Sequence, residues 1–144
     1  MRYLLDTNIL SQTARADVDR AYSEWARLRR PDELAVSAMT YGEVKKGIEV
    51  LPNGRRRAAL ERWFALVISR EFRGRVLDVN TRVALEWGRL LAAGRKQGRP
   101  LDPIDGILLA TAVVYNLVLV TRNERDFAGR GVSIINPWSD KASD

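Results

Sequence analysis

The stretch Asp102-Pro103-Ile104-Asp105-Gly106-Ile107-Leu108-Leu109-Ala110-Thr111-Ala112-Val113-Val114-Tyr115-Asn116-Leu117-Val118-Leu119-Val120 decides how the chain folds. Asp102 followed by Pro103 reads as an N-cap and first helical residue, and Asp105 suits the positive end of the helix dipole. The helix runs from Pro103 to Tyr115 and Asn116 breaks it. Leu117-Val118-Leu119-Val120 then reads as a wholly apolar strand. The apolar run Ile107 to Val120 spans 14 residues and is interrupted by Thr111, Tyr115 and Asn116, too short to cross a bilayer.

Working outward, the same alternation recurs. Tyr3-Leu4-Leu5, Leu34-Ala35-Val36, Val76-Leu77 and Val132-Ser133-Ile134-Ile135 are short apolar strands. Helical spacing covers Asp17 to Arg30, Thr40 to Leu51, Arg55 to Phe72 and Asn80 to Arg95. Apolar strands that alternate with helices predict a parallel sheet covered on both faces, a three-layer α/β/α sandwich. At 144 residues one domain is expected, residues 1–138, with 139–144 as a flexible C-terminal tail. An acid at the sixth position comes too early for a signal-peptide apolar region, so the cytoplasm is the expected compartment.

The composition excludes much chemistry. There is no cysteine and no histidine, hence no thiolate nucleophile, no imidazole relay and no His- or Cys-bound metal. Carboxylates, Lys, Arg, Tyr, hydroxyls or an oxygen-held hard metal remain. In open α/β sheets ligands bind at the carboxyl ends of the strands. The residues assigned there are Asp6 after the first strand, Glu43 after the second, and Asp105 with Asp102 at the helix start. Thr121, Asn123 and Asp126 follow the fourth strand.

Each acid also has a local explanation. Thr40-Tyr41-Gly42-Glu43 has the form of a capping box, Asp102 of an N-cap, and Asp6 could cap a short helix starting near Asn8. Caps do not explain why the acids gather on one edge, where their mutual repulsion calls for a cation. An all-oxygen cluster suits Mg²⁺ or Mn²⁺. The net charge of +6, carried by 24 Lys and Arg, adds clusters of arginine. Arg122 and Arg125 flank the acidic edge and would draw in a polyanion, with RNA or DNA the natural substrate class. Trp25, Trp63 and Trp87 lie on apolar helix faces and read as core or interface. Trp138 reads as packing the chain end back on the domain.

Four segments in order resemble the PIN-domain ribonucleases, and among them the VapC toxins, FitB-like branch. They are Leu4-Leu5-Asp6-Thr7-Asn8-Ile9-Leu10, Ser37-Ala38-Met39-Thr40-Tyr41-Gly42-Glu43, Ile104 to Ala112, and Leu119 to Phe127. Asn136-Pro137-Trp138 near the end is similar too. The acids Asp6, Glu43, Asp105 and Asp126 stand 37, 62 and 21 residues apart.

The resemblance implies a Mg²⁺- or Mn²⁺-dependent endoribonuclease, the toxin of a VapBC-type pair, neutralised by a VapB- or FitA-like antitoxin. It implies a homodimer, or a larger complex with the antitoxin. The metal ligands map onto Asp6 and Asp105, with Glu43 the third acid and Asp126 the fourth catalytic carboxylate. Asn8, Thr121 and Asn123 would orient carboxylates or water. Arg122 and Arg125 would contact RNA. Helices carrying Trp25 and Trp63 would supply dimer or antitoxin surfaces. The chain departs from some relatives at Asn123, where they carry an acid. That departure leaves a second reading open: a PIN-fold RNA-binding or regulatory domain with weakened catalysis. A haloacid-type phosphatase would need an acid where Asn8 stands, and a receiver domain would need paired acids near the first strand and a late Lys.

Overall fold

The computed structural model describes residues 1–14 and 19–139. The elements are β1 (Tyr3–Leu5), α1 (Thr7–Gln12), α2 (Arg20–Arg27), β2 (Leu34–Ser37), α3 (Ala38–Glu49), α4 (Arg55–Leu66), β3 (Val76–Leu77), α5 (Thr81–Lys96), α6 (Pro103–Tyr115), β4 (Val118–Val120), α7 (Glu124–Phe127) and β5 (Ile134–Ile135). All five strands pair in parallel, in the order β3-β2-β1-β4-β5.

Strand pleating divides the core. Tyr3, Leu5, Val36 and Val120 face one layer, with Ile9, Leu10, Trp25, Val44 and Phe64 from α1 to α4. Leu4, Ala35, Leu77 and Leu119 face the other, with Val83, Leu90, Leu109, Ala110 and Phe127 from α5, α6 and α7. The three-layer α/β/α prediction therefore holds. Asn116, at φ 53° and ψ 52°, ends α6 in the left-handed conformation that Asn tolerates, and β4 starts two residues later. Where α5 crosses α6, a Cβ on Gly106 would lie 2.5 Å from Leu91 Cδ1 and 3.1 Å from the Trp87 ring, so a side chain there would force Leu91 aside. Trp87 then reaches the Pro103 carbonyl with its indole N–H at 2.9 Å.

Several boundaries differ from the sequence reading. α3 begins at Ala38, not Thr40, because Ser37 caps it, its Oγ accepting from the Met39 amide at 3.0 Å. The Thr40 capping box is therefore not formed. The helix expected through Phe72 leaves α geometry after Leu66 and continues as a π-helical turn, Val67–Glu71. Pro31–Glu33 forms a 3₁₀ turn, and α7 occupies what reads as a loop. Asp17 and Val18, the expected start of α2, lie outside the described residues, as does nearly all of the 139–144 tail. Asp19 caps α2 by accepting from the Ala21 amide. Trp138 packs against the layer that holds Tyr3 and Trp25.

Candidate active site

The strand order places a topological switch between β1 and β4: the chain leaves β1 toward β2 on one side and returns to β4 on the other. A crevice opens there at the strand C-termini. Asp6 follows β1 directly and Thr121 follows β4, both held by sheet bonds, Asp6 N–H to Val120 O at 2.9 Å and Thr121 N–H to Ile135 O at 3.0 Å. Across the crevice Thr121 Oγ1 donates to Asp6 Oδ2 at 2.8 Å, a fully buried contact. Asp6 is only 6% exposed, and burial raises its pKa above the usual carboxylate value. The Thr121 hydroxyl and the amides of Thr7 and Asn8 partly offset this by favouring the anion. Asp6 occupies the N-cap position of α1, but its side chain makes no capping hydrogen bond.

Glu43 sits one turn into α3. With Ser37 serving as cap, its carboxylate is free of the helix end, and Oε1 instead accepts from Thr7 Oγ1 at 2.5 Å. Thr7 also lies 3.2 Å from the Thr40 hydroxyl. Thr7 and Thr40, to which the sequence alone assigns no role in the site, are thus further functional candidates. Their signal was a hydroxyl directly after Asp6 and another one turn before Glu43.

Asp102 caps α6 as expected, Oδ2 accepting from the Ile104 and Asp105 amides, both at 3.1 Å. Asp105, half-buried at the first turn, is pushed up to about 6. Burial is the main cause, followed by the negative charges of Asp102, Asp6, Asp126 and Glu43. The charges of Asp6, Glu43 and Asp126 therefore reach Asp105 through space. Among the described residues no three acidic side chains are gathered tightly enough to enclose an ion. In kind, the donor set is all carboxylate and hydroxyl oxygen, which fits a hard divalent cation. The unneutralised charge around Asp105 is what such a cation would relieve.

The fourth position is shared. Asn123 Nδ2 donates to Asp126 Oδ2 at 2.6 Å, and the Asn123 amide donates to Thr121 Oγ1 at 3.0 Å. The Asn8 side chain is exposed, and only its amide faces Asp6. Arg122 and Arg125 are exposed, but the Arg122 guanidinium lies 4.7 Å over the Trp138 ring, held beside the chain end. Asn136, 6% exposed, bonds the Arg122 carbonyl at 3.3 Å and Glu124 Oε2 at 3.2 Å, a tie that the Asn-Pro-Trp motif gave no local reason to expect.

Trp25 is buried and packs edge-on against Tyr3 with centroids 5.1 Å apart, so it belongs to the core and not to an interface. Trp63 is half-buried and lines a groove of 570 Å³ between α1, α3 and α4, whose wall includes Glu43, Leu51 and Leu60. Among the described residues no helix is long and apolar enough to cross a membrane.

The PIN domain family model matches residues 3–131. VapC ribonuclease Y4jK of Sinorhizobium fredii is 31% identical, over 94% of this chain and 96% of its own length. Toxin FitB of Neisseria gonorrhoeae is 28% identical, over 95% of this chain and 99% of its own. The crystal structure of FitAcB from Neisseria gonorrhoeae superimposes with a TM-score of 0.87 at 28% identity, covering 95% of this chain and 99% of that one. Matched in sequence along nearly its whole length, with its acids at the switch of a parallel sheet, this chain belongs to the PIN-domain family.

Proposed function

We propose that this protein is the toxin of a VapBC-type pair, an endoribonuclease that hydrolyses RNA phosphodiester bonds and is neutralised by a VapB- or FitA-like antitoxin. The observation that carries this is the buried Thr121–Asp6 bond across the switch of a PIN-family sheet, beside which the charges of Asp6, Glu43 and Asp126 reach Asp105. Asp6 and Asp105, with Glu43, would hold Mg²⁺ or Mn²⁺. When bound, the ion supplies Lewis-acid polarisation of the phosphodiester and activation of water. The chain's own residues do the rest. Thr121 aims Asp6, and Thr7 aims Glu43. Asn123 steadies Asp126. Arg122 and Arg125, both exposed, would contact the phosphate backbone.

The groove under Trp63 that ends at Glu43 is the face assigned to the antitoxin, because a partner there would cover an acid of the site. The protein acts in the cytoplasm, as a homodimer or in a larger complex with its antitoxin.

RNA cleavage by the antitoxin-free protein tests the proposal, with Mg²⁺ or Mn²⁺ and with excess chelator. Cleavage should stop in chelator and in Asp6→Asn and Asp105→Asn. Full activity in either variant, or in chelator, would sink it.

A further inference from the structure

α7 is four residues long, too short to hold itself helical, so its place is imposed from outside. Phe127, fully buried, anchors one side. Two arginines grip the other, Arg99 from a distant segment and Arg130 from just beyond the helix end. Arg99 donates through Nη2 to the Arg125 carbonyl at 2.7 Å and through Nη1 to the Ala128 carbonyl. Arg130 donates through Nε to the Asp126 carbonyl at 2.8 Å and through Nη1 to the Arg99 carbonyl at 3.2 Å. The carbonyls that a short helix leaves unsatisfied are thereby met by two charged forks.

Surface arginines would ordinarily splay apart. Here burial and then the Arg99 charge lower the Arg130 pKa, partly offset by Asp126, and among the described residues neither guanidinium forms an ion pair with a carboxylate. Glycines clear the space: a Cβ on Gly94 would lie 2.7 Å from Arg99 O and 3.2 Å from Arg130 Nη1. Gly129 and Gly131, at φ +73° and +88°, turn the chain on either side of Arg130. Arg99 also stands six residues before Asp105, on the connection that delivers the start of α6 to the site. One device thus touches the segments carrying both Asp105 and Asp126.

We propose that Arg99 and Arg130 are positioning residues that fix the Asp126 carboxylate relative to Asp105 by gripping the carbonyl end of α7. This rests on the reading of Asp126 as the fourth acid of the site. A guanidinium serves because its planar fork can bond two carbonyls in fixed geometry, which an ammonium cannot.

The test uses the full chain stripped of metal, titrated with Mn²⁺ by calorimetry without RNA, alongside kcat and KM for RNA cleavage. Arg99→Ala and Arg130→Ala should each weaken Mn²⁺ binding by about 10-fold and lower kcat with KM unchanged. Arg99→Lys should restore part of the loss, and it carries the test if the alanine variants do not fold. Arg99→Ala combined with Asp126→Asn should bind Mn²⁺ no more weakly than Asp126→Asn alone. Wild-type Mn²⁺ affinity in the Arg99 variants, or an undiminished further loss in the Asp126→Asn background, overturns the proposal. Unchanged Mn²⁺ affinity in Asp6→Asn and Asp105→Asn would overturn the reading of the site itself, and the grip with it.

Discussion

Thr121 Oγ1 donates to Asp6 Oδ2 at 2.8 Å, joining the ends of β1 and β4 across 115 residues of sequence. This is the Asp6 side chain's one side-chain hydrogen bond among the described residues, and it favours the anion against burial. Thr121→Val keeps the shape and removes the donor. RNA cleavage should fall about 10- to 100-fold, while Thr121→Ser keeps most of it. Equal activity in wild type and Thr121→Val would remove the hydroxyl from the site's workings.

Thr7 bears the same relation to Glu43, with a shorter bond but a more open setting. Thr7→Val should lower kcat by about 10-fold and leave the thermal midpoint nearly unchanged, because the pair is only partly buried. Steady-state cleavage kinetics alongside a melting curve decide this; a loss that tracks stability alone would speak against it.

The metal-free protein should lose stability as pH rises from about 4 to about 6. Asp105 is pushed up to about 6 from an ordinary 3.8, so its favourable contribution is complete below the ordinary value and gone above the folded one. Asp6 shifts in the same direction. In excess chelator, Asp105→Asn should therefore melt higher than wild type at pH 7.5 and show a shallower decline between those pH values. A variant that melts lower at pH 7.5 would contradict the crowding of acids described around Asp105.

Gly106 on α6 faces Leu91 and Trp87 on α5, and Gly106→Val would drive a branched side chain into Leu91 and the Trp87 ring. Unfolding in urea should show a loss of about 1–3 kcal/mol. Indole fluorescence should also shift as Trp87 leaves the Pro103 carbonyl. Unaltered stability and emission would mean that the two helices can separate freely.

The sheet was legible because its signals are local. Leu4-Leu5, Ala35-Val36 and Leu119-Val120 are apolar runs, Asn116 is a residue that tolerates left-handed geometry, and Asp102-Pro103 marks a helix start. The acids could be put on one edge by the strand-end rule alone. Local patterns also misled where two of them competed. Ser37 and Thr40 both suit an N-cap, and only the length of β2 decides for Ser37. The Arg99 side of the grip on α7, the Asn136 tie and the Thr7–Glu43 bond join residues 12 to 36 positions apart, through carbonyls and side chains that leave no periodic trace. Trp25 and Trp63 look alike in the sequence, yet one is sealed by Tyr3 and the other opens on a groove.

The strand order β3-β2-β1-β4-β5 also governs the birth of the molecule. Asp6 leaves the ribosome 115 residues before Thr121, and β1 has no β4 beside it until then. A chain halted anywhere before β4 carries Asp6, Glu43 and even Asp105 without the strand that closes the crevice. The crevice at the switch is thus incomplete until β4 has been made.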